Sequence, residues 1–441
     1  MLKKYFITAL TAALLLTGGA SSAHAAVDPE VGFILNTLLF LIGGFLVMWM
    51  AAGFCMLEAG LVRTKNVATM CIKNIGLYAI AGIAYFLVGY NLMYSGVDGG
   101  FIGSFSLWGA AETAADPAIN LDGGYASASD WFFQMVFVAT TASIVSGTLA
   151  ERIRLFPFFA FVVVLTAVIY PIQGSWEWGA GWLDGMGFSD FAGSTLVHST
   201  GGWAALAGAI ILGPRKGKYG ANGQVHPIPG SSLTLATLGT FILWLGWFGF
   251  NGASQLALGS AIDAVAVAQI FANTNMAAAG GVVAALILTK LLYKKVDLTM
   301  VLNGALAGLV SITAEPLTPT IGQAILIGAV GGALVVFAVP LLDKFKIDDV
   351  VGAVPVHLVC GVWGTLAVPL TNHGEGVSFL TQAIGVGAIG AFVFLMSLLI
   401  WLGLKYTVGV RVSEEDEAKG GDLAELGMEA YPEFGAGSQK F

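Results

Sequence analysis

Two histidines carry the most informative chemistry in this chain. His198 and His357 each stand in an otherwise apolar stretch, eight residues after an aspartate (Asp190, Asp349) and four before a glycine (Gly202, Gly361). An ionisable side chain in hydrocarbon is costly, and so marks a functional site by default. If Asp190 caps its helix at one membrane face, His198 lies roughly 12 Å in at about 1.5 Å per residue, near the middle of a hydrocarbon layer about 30 Å thick. Two imidazoles at one depth can bond to each other, one nitrogen donating and the other accepting, and would hold at most one added proton between them. Such a pair offers an acceptor to a small polar solute and a relay for a proton. The alternative for His198 alone is a tightly packed helix of small residues, Gly193 to Gly208, whose histidine bonds a neighbour's backbone.

The elements that position these histidines must be membrane helices. The chain has 441 residues, of which 57% are hydrophobic and 10% charged, against about 25% charged in an ordinary soluble domain. Sixty glycines spread through apolar runs suit close helix packing. The net charge of −8 comes from acids in loops and the tail, and points to no nucleic-acid partner. Cys55, Cys71 and Cys360 show no metal-ligand spacing and read as small packing residues.

Lys3 and Lys4, an apolar run and Ala23-His24-Ala25 read as a signal peptide over residues 1–25. Long apolar runs then follow at about 32–57, 74–95, 131–149, 155–174, 193–213, 232–251, 263–289, 298–314, 321–341, 351–370 and 379–404. The reading is an all-α polytopic membrane protein of eleven spans, a channel domain over 26–405 and a cytoplasmic tail over 406–441. Every later lysine and arginine falls after an odd-numbered span, including Arg63, Lys65 and Lys73 after the first. By the positive-inside rule this places the N-terminus outside and the C-terminus in the cytoplasm. His226 and His373 fall in loops and read as surface residues.

The matched Asp/His/Gly stretches belong to spans five and ten, which run in opposite directions. That is the mark of an inverted five-helix repeat, about 32–213 and 232–370, with a site at the midplane. Aromatic residues converge on the outer face: Phe133 and Phe137, then Trp176, Trp178 and Trp182, then Trp247, Phe248 and Phe250 with Ser254. Interface aromatics are common, but rings beside a hydroxyl also suit a small cation without any carboxylate.

With these residues in view the chain resembles the ammonium transporter (Amt/Mep/Rh) family over its mature length. The matching motifs are Asp190-Phe191-Ala192-Gly193 with Val197-His198, Gly246-Trp247-Phe248-Gly249-Phe250-Asn251, Ala150-Glu151-Arg152-Ile153-Arg154, and Val356-His357 with Cys360-Gly361. The resemblance implies a homotrimer in the cytoplasmic membrane, each subunit with its own narrow pore, and no catalytic residue, metal or cofactor. By position, Trp178, Phe137 and Ser254 resemble the outer ammonium-recruitment site, and Asp190 the aspartate that organises it. Phe137 and Phe250 resemble the phenyl gate, His198 and His357 the pore pair, and Phe133 and Trp247 wall residues behind them.

Ser194 and Leu358 stand where the family usually has glycines, and Glu58 is read as an interfacial ion-pair partner of Arg63 or Lys65. The tail from Arg411 to Phe441 resembles one that docks on neighbouring subunits and answers to a trimeric PII-type protein, although Leu426 replaces a usual histidine. The implied function is ammonium or ammonia transport, with methylammonium as analogue: ammonium is recruited, deprotonated and conducted as ammonia. An ammonium sensor and a neutral-gas channel of the Rh type are the alternatives.

Overall fold

The computed structural model describes residues 27–113, 115, 119 and 121–434, so the signal peptide read at 1–25 lies outside the described residues. Among the described residues nine helices are long and apolar enough to cross a membrane. They are α1 (Pro29–Leu61), α2 (Thr64–Tyr94), α3 (Leu121–Thr148), α4 (Leu155–Ser175), α5 (Ser194–Leu212), α6 (Leu233–Gln255), α7 (Ala261–Tyr293), α9 (Ile321–Lys344) and α11 (Phe379–Thr407). Two shorter apolar helices, α8 (Leu298–Ile312) and α10 (Val354–Leu370), bring nine to eleven.

The helix starts follow local chemistry. Asp28, Ser232, Ser260, Asp297, Thr320 and Ser378 each accept a first-turn backbone N–H at the heads of α1, α6, α7, α8, α9 and α11. Such caps satisfy donors that a helix cannot pair internally. Thr320 and Gln323 form a reciprocal capping box, and Pro29 occupies the first turn of α1, where its missing N–H is no loss.

Small residues let these helices meet backbone to backbone. A Cβ placed on Gly60 would lie 2.5 Å from the Ala236 nitrogen, and one on Gly239 2.3 Å from the Leu57 nitrogen, so α1 and α6, the first helices of the two halves, are in direct contact. The α5–α10 crossing is the same kind of joint. Gly202 abuts Leu358 and Gly361 abuts Ser194, while the hydroxyls of Thr195 and Thr365 are 2.6 Å apart. Residue numbers therefore fall along α10 as they rise along α5, and the two histidine helices run antiparallel. Outward-facing residues such as Ile34, Phe45, Trp49, Ile262, Val265, Leu395 and Leu399 remain exposed in the single chain, as a surface meeting lipid or another subunit requires.

Two helix starts differ materially from the sequence reading. α3 begins at Leu121 rather than near 131. α2 begins at Thr64 rather than near 74, because Asn66, Lys73 and Asn74 lower the apparent hydropathy of its first turns. Lys73 is therefore no loop cation: it is fully buried, donating to the Ser146 carbonyl at 2.8 Å with its ammonium 4.6 Å from the Phe158 ring centre. Those two contacts replace the hydration that a buried charge loses.

Candidate functional site

α5 and α10 both open with a wide π turn, Ser194–Ser199 and Val354–Val359, and each turn holds its histidine. Asp190 accepts the amide N–H groups of Ser194 at 2.7 Å and of Thr195 and Leu196 at 2.8 Å. Asp349 accepts those of Gly352 at 3.2 Å and Val354 at 2.7 Å. Between each aspartate and its turn a glycine takes a left-handed conformation, Gly193 with φ of 101° and Gly352 with φ of 81°, which a residue with a Cβ adopts only at a cost. The two devices deliver the rings to one place. His357 Nδ1 is 3.2 Å from His198 Nδ1, and the rings stack with centroids 5.2 Å apart.

The rings lie at the end of an aromatic column. His198 stacks on Trp247 at 4.8 Å and on Phe250 at 5.1 Å. Phe250 meets Phe137 at 4.2 Å, and Phe137 meets Phe133 at 4.8 Å and Trp178 at 6.1 Å. Trp247 is fixed by its indole N–H donating to Thr313 Oγ1 at 2.8 Å. Above the column is a cavity of about 390 Å³ whose wall includes Phe133, Phe137, Trp178 and Ser254. The Ser254 hydroxyl donates to the Phe250 carbonyl at 2.7 Å, leaving its own lone pairs to accept.

Asp190 is not in that wall. It is fully buried, but its backbone carbonyl accepts the Trp178 indole N–H at 3.1 Å, so one residue ties the π turn to the cavity's tryptophan. Glu177 accepts the Asp190 amide at 2.7 Å. Burial pushes the Asp190 carboxyl up to about 6, against the amide donors that hold it down. Burial and then the Asp190 charge push the Glu177 carboxyl well above the ordinary carboxylate range. Of the two carboxyls, Asp190 is the one whose negative charge the amides stabilise.

The cavity also contains residues that the sequence reading missed: Tyr90, Tyr94, Tyr125, Asp130, Gln134 and Phe191. Tyr90 donates its hydroxyl to Asp130, and Gln134 donates to the other carboxyl oxygen at 3.2 Å. Asp130 precedes Phe133 by three residues and Phe137 by seven, one helical face, and that spacing could have revealed it. A carboxylate thus lines a cavity expected to hold only rings and a hydroxyl.

Glu58 is a correction. Arg63 pairs instead with Glu151, Nη2 to Oε2 at 2.5 Å, and Lys65 donates to the Glu417 and Ala418 carbonyls at 2.8 and 2.5 Å. Glu58 faces inward, accepting from Asn74 at 2.9 Å and Ser146 at 2.8 Å, because its place on α1 turns it from the boundary toward α2 and α3. Ser194 and Leu358 have specific contacts: the Ser194 hydroxyl donates to the Val310 carbonyl at 2.7 Å, and Leu358 packs on Gly202. His226 and His373 are exposed.

The acidic tail is more than a solvated run. Asp422 is buried and accepts the Ala68 and Thr69 amides at 2.9 and 2.8 Å, and Glu417 accepts the Lys216 amide and pairs with Arg411, both at 2.7 Å. Nearby, Arg215 clasps Asp348 through Nε at 2.8 Å and Nη2 at 3.0 Å. Burial opposes ionisation of Asp348, but hydrogen bonds from Arg215 and the charges of Arg152 and Arg215 hold its carboxyl down at about 2.

The family pattern described as the Ammonium Transporter Family matches residues 38–431. Ammonium transporter Amt2 of Archaeoglobus fulgidus is 41% identical, with 96% of this chain and 93% of that protein aligned. A putative ammonium transporter of Synechocystis is 39% identical over 97% and 96%. Among solved structures, one titled Sensor Amt Protein is similar with a TM-score of 0.84 and 36% identity, covering 90% of this chain and 100% of that one. Candida albicans Mep2 is similar with a TM-score of 0.77 and 26% identity, covering 88% and 89%.

Proposed function

The chain belongs to the ammonium transporter family, and on that premise we propose that it carries ammonium across the cytoplasmic membrane as ammonia. Ammonium collects in the aromatic cavity, held by the faces of Trp178 and Phe137, the Ser254 hydroxyl and the nearby Asp130 carboxylate. Ring faces attract a cation by ~1–2 kcal/mol in a desolvated site. Beyond Phe137 and Phe250 the wall is apolar, and an unpaired ion there costs several kcal/mol that a neutral molecule does not. Ammonium therefore gives up a proton at the phenyl gate, and ammonia passes His198 and His357. Potassium has no proton to give up and is refused.

The observation that carries this reading is the His198–His357 contact at 3.2 Å, at the foot of a continuous aromatic column. Each ring leaves the other with a defined donor or acceptor, so ammonia meets a polar surface that holds no net charge. The reading includes a homotrimer and a PII-type partner, and an outer N-terminus with a cytoplasmic C-terminus, the orientation resting on the lysines and arginines of the connections that follow odd-numbered spans. Methylammonium uptake and charge movement in proteoliposomes across a pH series test the whole. Uptake whose half-saturating concentration is raised by Trp178→Leu and which potassium does not affect supports it; uptake that potassium abolishes, or none at all, overturns it.

A second reading, an ammonium sensor that uses the same cavity to bind and the tail to signal, is favoured by the likeness to the Sensor Amt Protein. Ammonium binding with no accompanying flux would select it.

A further inference from the structure

Past the histidines, on the side of the chain that carries the tail, a void opens whose wall includes His357, Phe54, Glu58, Gly147, Asn303 and Val351. Its volume is about 10 Å³, close to what a single water-sized molecule needs. Ammonia is of that size. Glu58, with 1% of its surface exposed, is the one carboxylate in this wall, and its two oxygens differ. Oε2 accepts from Asn74 and Ser146. Oε1 receives no hydrogen bond from any described residue, and it faces Gly147, where an added Cβ would lie 3.4 Å from it. A carboxylate oxygen buried without a donor is expensive, so this arrangement calls for a small donor from the void itself.

Lys73 does not fill that need. It is spent on the Ser146 carbonyl and the Phe158 ring, and among the described residues it forms no ion pair with Glu58.

We propose, resting on the transport reading above, that Glu58 forms an inner recognition subsite for ammonium, with Oε1 accepting an N–H as the solute leaves the histidine pair. The outer cavity and this void are then the two ends of one path, the first built from rings and the second from a single carboxylate oxygen. A carboxylate paired with a cationic N–H is the stronger class of hydrogen bond, which suits the end where an ammonium ion is re-formed.

The test uses the full chain in proteoliposomes of sorted orientation, with labelled methylammonium counterflow measured from each face. Glu58→Gln keeps the shape and the bonds to Oε2 but removes the charge. It is expected to raise the half-saturating methylammonium concentration on the tail side about tenfold, the worth of one charge-assisted bond, and to leave the opposite face within about twofold. The Glu58→Gln/Lys73→Met double variant is expected to stay raised. Unchanged behaviour on the tail side, equal shifts on both faces, or recovery in the double variant would each overturn the proposal, the last by making Glu58 only a counter-ion for Lys73. If Glu58→Gln does not accumulate, Glu58→Asp is expected to give a smaller one-sided rise, and no rise would overturn it. A wild type that moves no methylammonium would instead sink the transport reading, so the two failures are separate.

Discussion

α5 and α10 are built to one plan and finished differently. Each has an aspartate, a left-handed glycine three residues on, a π turn and a histidine, and together they bring two rings within 3.2 Å. At the head of α5 the aspartate is fully buried, takes three amides and is joined to Glu177 and Trp178. At the head of α10 the aspartate is half-buried, takes two amides and follows Asp348, which Arg215 clasps. The shared motif therefore sets the symmetric part of the candidate site, while the neighbouring loops differ: one end joins the aspartate to Glu177 and Trp178, the other joins it to the Asp348–Arg215 network on the tail side.

The largest expected asymmetry is in stability. Asp190→Ala leaves three buried amides without an acceptor, at about 1–3 kcal/mol for each orphaned donor, for a loss of about 4 kcal/mol or more. Asp349→Ala is expected to cost about half as much, and Asp190→Asn, which keeps one acceptor oxygen, to recover part. Thermal unfolding of the detergent-solubilised protein measures all three, and equal losses at the two aspartates would break the comparison. Next in size is the tail-side Asp348. Its carboxyl is held down to about 2 from 3.8, so its contribution is complete above its unfolded value and lost as pH falls from about 4 to about 2. That shift corresponds to about 2 kcal/mol. Melting temperatures followed over this pH range should fall more steeply for the wild type than for Asp348→Asn, and parallel curves would remove Asp348 from the account.

Much of this plan is legible in the sequence, for reasons that particular residues show. The spans stand out because their apolar runs are long, and the His198/His357 pair because a histidine is conspicuous among valines and glycines. The pairing of Gly193 with Gly352 was there to be read, three residues after each aspartate, but a glycine among sixty carries little signal until its φ is known. Lys73 and Glu58 depart from the sequence reading for one shared reason: a charge near a predicted helix end reads as a boundary, whereas here both are buried, Lys73 against the Ser146 carbonyl and Glu58 Oε2 against Asn74 and Ser146, contacts between helices that no local pattern encodes. Asp130 was missed because its partner Tyr90 lies forty residues away on α2.

Transport should respect the symmetric part of the plan. His198→Ala and His357→Ala are each expected to slow methylammonium uptake about tenfold, or ~1.4 kcal/mol of barrier, about the worth of one lost hydrogen-bonding partner. Because each ring is the other's partner, the double variant should fall little below either single one. Uptake rates in proteoliposomes decide this, and two additive losses would mean that the rings act independently.

The smallest effect is confined to the outer cavity. Trp178 offers an indole face to the cavity while its N–H is committed to the Asp190 carbonyl, so Trp178→Leu removes a cation-attracting face and a link to the α5 cap together. The first loss is worth ~1 kcal/mol, about fivefold in the half-saturating methylammonium concentration measured from the outer face. Trp178→Phe restores a ring but not the hydrogen bond. If attraction to the ring dominates, the phenylalanine variant binds nearly as well as the wild type while melting at a lower temperature. If both variants weaken binding equally with unchanged melting, the tryptophan acts through its shape alone, and the specialisation of this end rests instead on Asp130 and Ser254.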